Sequence, residues 1–340
     1  MKKEKVYLYP SCPKEGYGNP YCLNFKDALK ISFELLDADN KVTTMKSLTF
    51  LQYSFKAEIF ILNWIENTIY LRLGFIQFCL VFLSFFVIKL RKKRIVWIFH
   101  NINPHEGGNF FTKFVMSYLF KHASLIVSHS KEAYSFAQKK ALCKVMYHCH
   151  PIKELNIHNW NGEKLPCDIL IWGTILPYKG VLEFLENCSA KLENENILIL
   201  GKCQDHKLAE AIYSYNSKHI RFENRRADFS EIAYYAQTCK FVLFPYVGES
   251  ISSSGVLMDT IVMGGTPIGP NKGAFKDLQK EGICETYNDY NELLTILTSC
   301  GNISDDLKKR FMEENTWSNF VSNLSSELNS MQTKDTLSSY

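Results

Sequence analysis

Short apolar runs alternate along the chain with longer stretches whose apolar residues recur at helical spacing. In the first half this pattern predicts strands over Val6–Tyr9, Glu58–Asn63, Ile95–His100, Leu125–Val127 and Lys144–Tyr147. Helices are predicted over Tyr21–Leu35, Asn109–His122 and Lys131–Ala141. The second half repeats the alternation, with strands over Asp168–Trp172, Ile197–Gly201, Ile220–Phe222, Phe241–Phe244 and Pro267–Gly269. Its helices fall at Val181–Ser189, Asp205–Tyr215, Phe229–Ala236 and Gly255–Met263, before a polar helical tail after Tyr290. Strand–helix alternation on this scale predicts an α/β chain of two doubly wound parallel sheets, Rossmann-like halves with a cleft between them. Between them, Pro151–Pro166 carries asparagines, a glycine and a proline at each end, and reads as the linker.

One segment breaks the pattern. From Leu73 to Ile88 no residue is charged, and Phe75, Phe78, Phe82, Phe85 and Phe86 crowd into the run. A helix apolar all round belongs in a membrane or a core, but this one falls short of the ~20 residues a span needs. A span would also place pieces of one sheet on opposite sides of a bilayer. The segment reads as a crossover helix within 71–90, one side on the sheet and the other in lipid. The basic run Lys89–Arg94 after it suits anionic head groups.

Composition narrows the class. A chain of 340 residues with 46% hydrophobic and 22% charged content is globular and long enough for two cores. A net charge of +4, without basic stripes, argues against a nucleic-acid partner. Eleven dispersed cysteines without CxxC pairs fit reduced thiols in the cytoplasm. The first residues lack the apolar core of a signal peptide.

Ligands of such sheets bind beyond the carboxyl ends of strands, so the residues that follow strands are the candidates for chemistry. His100, Asn101, His105 and Glu106 close one strand and offer acid–base or orienting groups. Gly173 and Lys179 close the first strand of the second half; the glycine admits a pyrophosphate to the backbone and the lysine neutralises it. Glu249, Ser252, Ser253, Ser254 and Gly255 lead into a helix N-terminus, where unpaired N–H groups and hydroxyls suit a phosphate. Asn63-Trp-Ile-Glu66 closes another strand. Trp64 there is either a sugar-stacking face or an interfacial ring, and Glu66 either a ligand or a helix-start carboxylate. Asp37-Ala-Asp39 reads as a turn and His148-Cys-His150 as structural, so no metal site is expected.

In this order the clusters resemble the GT-B glycosyltransferases, in particular family-4-like bacterial enzymes of capsule, O-antigen and exopolysaccharide synthesis. Val96-Trp-Ile-Phe-His-Asn-Ile-Asn-Pro-His-Glu106 is similar to an N-terminal-domain element of that group. Gly173-Thr-Ile-Leu-Pro-Tyr-Lys-Gly180 resembles its phosphate-binding turn, and Phe244-Pro-Tyr246 with Gly265-Thr-Pro267 brackets its donor loop. Arg221-Phe222 with Phe229–Ile232 resembles its nucleobase element, and Trp317 its returning C-terminal helix. The chain departs from the group at Thr174, where Arg is usual. The paired glutamates align on Ser252 and Thr260, with Glu249 and Asp259 nearby but out of register.

The resemblance implies an acceptor domain over 1–150, a linker over 151–166, a nucleotide-sugar domain over 167–310 and a returning helix and tail over 311–340. It implies metal-independent transfer from a uridine or guanosine diphosphate sugar to a lipid-linked oligosaccharide at the inner face of the cytoplasmic membrane. Gly173, Thr174, Lys179 and the Glu249–Gly255 loop would hold the donor. Asn19, Tyr21, Trp64, Glu66 and Asn101 would hold the acceptor, with His100, His105 and Glu106 catalytic. Two competitors remain: a catalytically silent subunit that recruits a partner transferase, and a nucleotide-sugar epimerase on the same fold.

Overall fold

A computed structural model of the chain describes residues 3–12, 19–36, 44–102, 108–247, 254–298 and 303–337. The chain divides into two compact units, one of residues 1–151 and 315–340, the other of residues 152–314.

The first unit runs β1 (Lys5–Tyr9), α1 (Pro20–Ser32), β2 (Glu34–Leu36), α2 (Lys46–Ser54), β3 (Ile59–Asn63), α3 (Gly74–Leu90), β4 (Arg94–Phe99), α4 (Phe110–His122), β5 (Leu125–Ser128), α5 (Lys131–Gln138) and β6 (Lys144–Tyr147). Its six strands are parallel in the order β2-β1-β3-β4-β5-β6. The second unit runs β7 (Ile169–Trp172), α6 (Val181–Cys188), β8 (Ile197–Leu200), α7 (His206–Tyr213), β9 (Ile220–Glu223), α8 (Phe229–Thr238), β10 (Phe241–Leu243), α9 (Gly255–Val262), β11 (Pro267–Pro270), α10 (Gly273–Lys280), β12 (Glu285–Tyr287), α11 (Tyr290–Leu297) and α12 (Asp305–Glu314). Its order is β12-β11-β10-β7-β8-β9, again all parallel. The final helix, α13 (Trp317–Leu337), returns to the first unit.

The expected doubly wound α/β architecture is the one the chain adopts, and side-chain alternation shows how. In β1, β3 and β4 the residues Tyr7, Phe60, Leu62, Ile95, Trp97 and Phe99 face one core with Phe50, Phe85 and Leu119. The intervening Val6, Leu8, Ile59, Ile61, Val96 and Ile98 face the opposite core, closed by Phe25 of α1 and by Trp317, Phe320 and Leu324 of α13. Covering both faces is what a parallel sheet requires. Short polar side chains start many of the helices: Asn19, Asn109, Ser130, Asp205, Asp228, Ser254 and Asp289 each accept a first-turn N–H bond.

The differences from the sequence expectations are local. The first helix stops at Ser32 because Phe33 is extended and Glu34–Leu36 pairs with β1 as an edge strand. The elements α2, α10 and β12 are not among those predicted from the sequence. The tail after Tyr290 is three helices rather than one. Asp37 and Asp39 lie outside the described residues.

Trp317 is buried against Phe25 and Tyr21, at ring-centroid distances of 5.6 and 4.9 Å. Removing its side chain leaves a cavity where α13 closes the sheet, so Trp317→Ala should cost about 3–5 kcal/mol. A urea melt of the variant, with an unchanged slope and a lower midpoint, checks this.

Candidate active site

In both units the switch point, where successive strands depart to opposite sides, is where polar side chains collect. In the second unit it lies between β7 and β10. The turn after β7 is held to the loop after β10 by Val247 N–H donating to Tyr178 O at 3.0 Å. Gly180 has φ +66°, and a Cβ there would meet Pro245 O at 2.0 Å. Only glycine fits so close an approach.

This packing buries Lys179, which is 7% exposed and makes no hydrogen bond or ion pair with any described residue. Desolvation pushes its pKa from 10.5 down to about 8. Gly173, at φ +100°, leaves room for the ammonium: a Cβ would lie 3.4 Å from Lys179 Nζ and 3.5 Å from Val256 Cγ1 in the first turn of α9. Lys179 Nζ also lies 5.8 Å from the centre of the Tyr246 ring, whose hydroxyl bonds to Ser254. Ser254 caps α9, and the space over Gly255 is open. A buried cation, a glycine floor and a helix N-terminus thus converge on one point, an arrangement able to hold a polyanion such as a diphosphate.

In the first unit the switch point lies between β1 and β3. Asn63, at the end of β3, donates from Nδ2 to Tyr9 O at 3.1 Å. Its Oδ1 therefore faces His100 Nε2 at 3.1 Å as acceptor, so His100 carries its proton on Nε2 and presents a bare Nδ1. Trp64 stacks on the His100 ring at 4.2 Å and 13°. It does so from a left-handed backbone, φ 50°, a conformation that costs roughly 1–2 kcal/mol for a bulky residue.

Three more histidines end the neighbouring strands. His129 follows β5 and donates from Nδ1 to His148 O, leaving Nε2 to accept from the Tyr21 hydroxyl at 2.7 Å. His148 and His150 follow β6 and donate from Nδ1 to the carbonyls of Cys149 and Pro151. The Tyr21 ring lies edge-on to His100, His129 and His150, at 4.9, 5.5 and 5.3 Å. Burial is the main reason all four imidazoles stay neutral, with His100 pushed down to about 3 and His150 to about 4. The cluster is a set of fixed-tautomer hydrogen-bonding groups rather than proton carriers. Among the described residues no group of three His, Cys, Asp or Glu is placed to hold a metal ion.

The expected site residues separate accordingly. Gly173, Lys179, Ser254 and Gly255 come together; Thr174 is exposed beside them. Tyr21, Trp64 and His100 also come together, while Asn19 is the cap of α1, its Oδ1 accepting from Tyr21 N at 3.0 Å. Glu66 turns inward instead, buried with its carboxyl 3.3 Å from Trp97 Nε1 and its pKa raised by desolvation to about 7. Asn101 is half-buried beside His100 in sequence. His105, Glu106, Glu249, Ser252 and Ser253 lie outside the described residues. Thr260, aligned with the second glutamate, is buried: its hydroxyl accepts from Trp172 Nε1 at 2.9 Å and donates to Val256 O at 2.9 Å.

His129 is the residue the sequence reading missed, whereas His148 and His150, read as structural, follow the end of β6 at Tyr147 and bond backbone carbonyls. The signal was available: Ser128-His-Ser130 occupies the same strand-end position after β5 that His100 occupies after β4.

No family model matches the chain, and no curated protein matches it significantly. Among solved structures it is similar to Anabaena Alr3699/HepE in complex with UDP and glucose, with 15% identity, a TM-score of 0.60 and coverage of 99% of this chain and 100% of that one. It is also similar to an alpha,alpha-trehalose-phosphate synthase (UDP-forming) from Burkholderia vietnamiensis, with 7% identity, a TM-score of 0.68 and 99% coverage of both chains. The protein therefore has the GT-B fold, the fold of these glycosyltransferases.

An unpaired buried cation destabilises a fold, and this yields a paired prediction. Lys179→Met should stabilise the free protein by on the order of 3 kcal/mol at neutral pH. The folded pKa of about 8 lies below the unfolded value, so the penalty is complete below pH 8 and fades as pH rises through 8. The gain in the variant should fade over the same range, which denaturant melts from pH 7 to 10 would show. A constant or absent gain would mean that the ammonium has a partner.

Proposed function

We propose that the protein is a glycosyltransferase that moves a sugar from a nucleotide diphosphate sugar to the hydroxyl of a lipid-linked saccharide in surface-polysaccharide synthesis. The observation that carries this reading is Lys179, buried beside Gly173 and the N-terminus of α9 with no counter-charge among the described residues. Burying a lysine without a counter-charge is costly unless an anion completes the site. The UDP in the HepE structure and the UDP-forming reaction of the trehalose-phosphate synthase favour a uridine diphosphate donor over guanosine.

In the reaction the bond from the anomeric carbon to the diphosphate breaks, the acceptor oxygen forms the new glycosidic bond, and the hydroxyl proton passes to the departing diphosphate or to water. Negative charge grows on the departing diphosphate, and in this reading Lys179 with the α9 amides stabilises it. His100 is not suited to take up a proton near neutral pH, because burial holds its pKa at about 3. It serves instead as a neutral acceptor through Nδ1, orienting a substrate hydroxyl, with Trp64 fixing its ring. Attachment to the inner face of the cytoplasmic membrane through α3 belongs to the same reading, since the acceptor is a lipid.

Thr260 favours one competing reading. Its hydroxyl is committed to Trp172 and Val256, so it offers a donor nothing that a glutamate would. A catalytically silent subunit would retain nucleotide binding and lack transfer.

A thermal-shift screen against UDP, GDP, CMP and dTDP, with and without Mg²⁺, tests the donor site. One diphosphate should raise stability by ~2.7 kcal/mol at a hundred times its dissociation constant, independently of Mg²⁺. Affinity should weaken above pH 8 as Lys179 loses its proton, and Lys179→Met should remove both the binding and that pH dependence. For a confirmed donor, His100→Ala should slow transfer to a prenyl-diphosphate saccharide roughly a hundredfold with donor affinity intact. Donor binding with no turnover on any lipid acceptor would instead support the silent subunit.

A further inference from the structure

The helix α3 lies on the sheet through Val81, Phe85 and Ile88, and Gln77 anchors its first turns by bonding Ser47 N, Thr44 O and Arg72 O. Its other side faces outward, uncovered by any described residue. The exposed positions are Phe75, Ile76, Cys79, Leu83, Phe86, Lys89 and Leu90, apolar at every place but one in the last turn. Beside it α4 exposes Phe110 and Phe114, at 74% and 48%. Aromatic pairs fasten the two helices together: Phe78–Phe111 at 5.0 Å, Phe82–Phe114 at 5.1 Å and Phe85–Tyr118 at 4.6 Å. The exposed rings are therefore one surface rather than isolated side chains, and continuous apolar surface marks a docking face.

At the C-terminal ends of α3 and α4 this surface holds a cavity of about 180 Å³. Phe85 and Ile88 are among its apolar walls, and Lys89, Lys92, Lys93 and His122 supply its charge and polarity, with no carboxylate in the lining. Lys93 reaches Glu58 at 3.8 Å, whereas Lys89 and Lys92 make no ion pair with any described residue. His122 is pushed below its ordinary pKa by desolvation and by Lys89 and Lys121, so the pocket is already positive. Lys113 and Lys121 carry the same sign along exposed α4. Between Glu66 and Glu132 the only carboxylate in the sequence is Glu106.

We infer that the α3–α4 surface docks on an anionic bilayer, with its aromatic rings among the acyl chains and a lipid phosphate in the basic pocket at the helix ends. Three observations select this occupant. No described helix is long and apolar enough to cross a membrane, so the face rests on the bilayer rather than spanning it. The basic pocket at one end of the apolar face complements head-group phosphate. The same like-charged lysines would oppose each other across an interface between two copies of this chain. This deepens the membrane part of the proposed function and adds to it α4 and a head-group pocket.

Flotation of the purified full chain with phosphatidylcholine vesicles, with and without phosphatidylglycerol, tests it. Binding should be stronger on the phosphatidylglycerol mixture. Lys89→Ala with Lys92→Ala should reduce that binding roughly tenfold or more, to the level of the neutral vesicles. Phe86→Asp with Phe110→Asp should abolish binding to both, with melting temperature and UDP response unchanged because both positions are exposed. Equal binding of the wild-type chain to both vesicle types would overturn the phosphate pocket. Absence of vesicle binding would overturn the docking inference, whether sizing shows a dimer that Phe86→Asp dissociates or soluble glycerol 3-phosphate saturates the pocket alone. A preserved UDP shift in that case would leave the transferase reading standing.

Discussion

The second unit depends on one close approach, that of Gly180 to the carbonyl of Pro245. The backbone there sits where any Cβ would overlap an oxygen, and the adjacent Val247–Tyr178 hydrogen bond locks the turn after β7 against the loop after β10. Three properties follow from that contact. The turn stays tight enough to begin α6, Lys179 is carried inward rather than into solvent, and its ammonium is set against the first turn of α9. A side chain at position 180 would separate the loops and let water reach the lysine, which would return its pKa toward 10.5 and dissolve the site's electrostatic character.

The first unit solves a related problem with the opposite electrostatics. Its strand ends also converge at a switch point, but they bring neutral imidazoles, a phenol and indoles rather than a charge. Each histidine is fixed by a hydrogen bond to a backbone carbonyl or an amide, which sets its tautomer as well as its orientation. Protonating any one of them would place a cation among apolar rings, and at His129 it would also reverse the bond accepted from the Tyr21 hydroxyl. The cluster thus holds its pattern of donors and acceptors over the pH range in which free histidine titrates. That suits recognition of hydroxyl groups, which need direction more than charge.

Much of this was legible in the sequence, because the features concerned are periodic or conformationally demanding. The apolar runs of β1, β3, β4, β7 and β8 identify a buried parallel sheet, and Gly173 and Gly180 flank a lysine where few sequences would place glycine by chance. What was not legible depends on partners distant in the chain. The edge strand Glu34–Leu36 exists only because β1 has a free edge. Glu66 looked like a ligand from its position after β3, yet its direction is set by Trp97, thirty-one residues on. The role of His150 follows from β6 ending at Tyr147, and strand ends are the least readable feature of a local pattern.

The places where the chain breaks ordinary rules coincide with the surfaces given functions here. Lys179 is a buried charge without a partner among the described residues, Trp64 is a bulky residue in left-handed backbone, and α3 turns phenylalanine and leucine outward along its length. Each is unfavourable in isolation, although the Trp64 ring packs on His100 and Tyr21. A methionine at 179 or glutamates along the outer face of α3 would suit the free protein better. Sequences that fold well are locally consistent, and departures from consistency concentrate where a ligand or surface completes the environment. The three departures call for three different completions: an anion for the lysine, a substrate held beside the Trp64–His100 stack, and lipid for the outer face of α3. In the proposed reaction a nucleotide diphosphate sugar and a saccharide carried on a membrane lipid would supply all three.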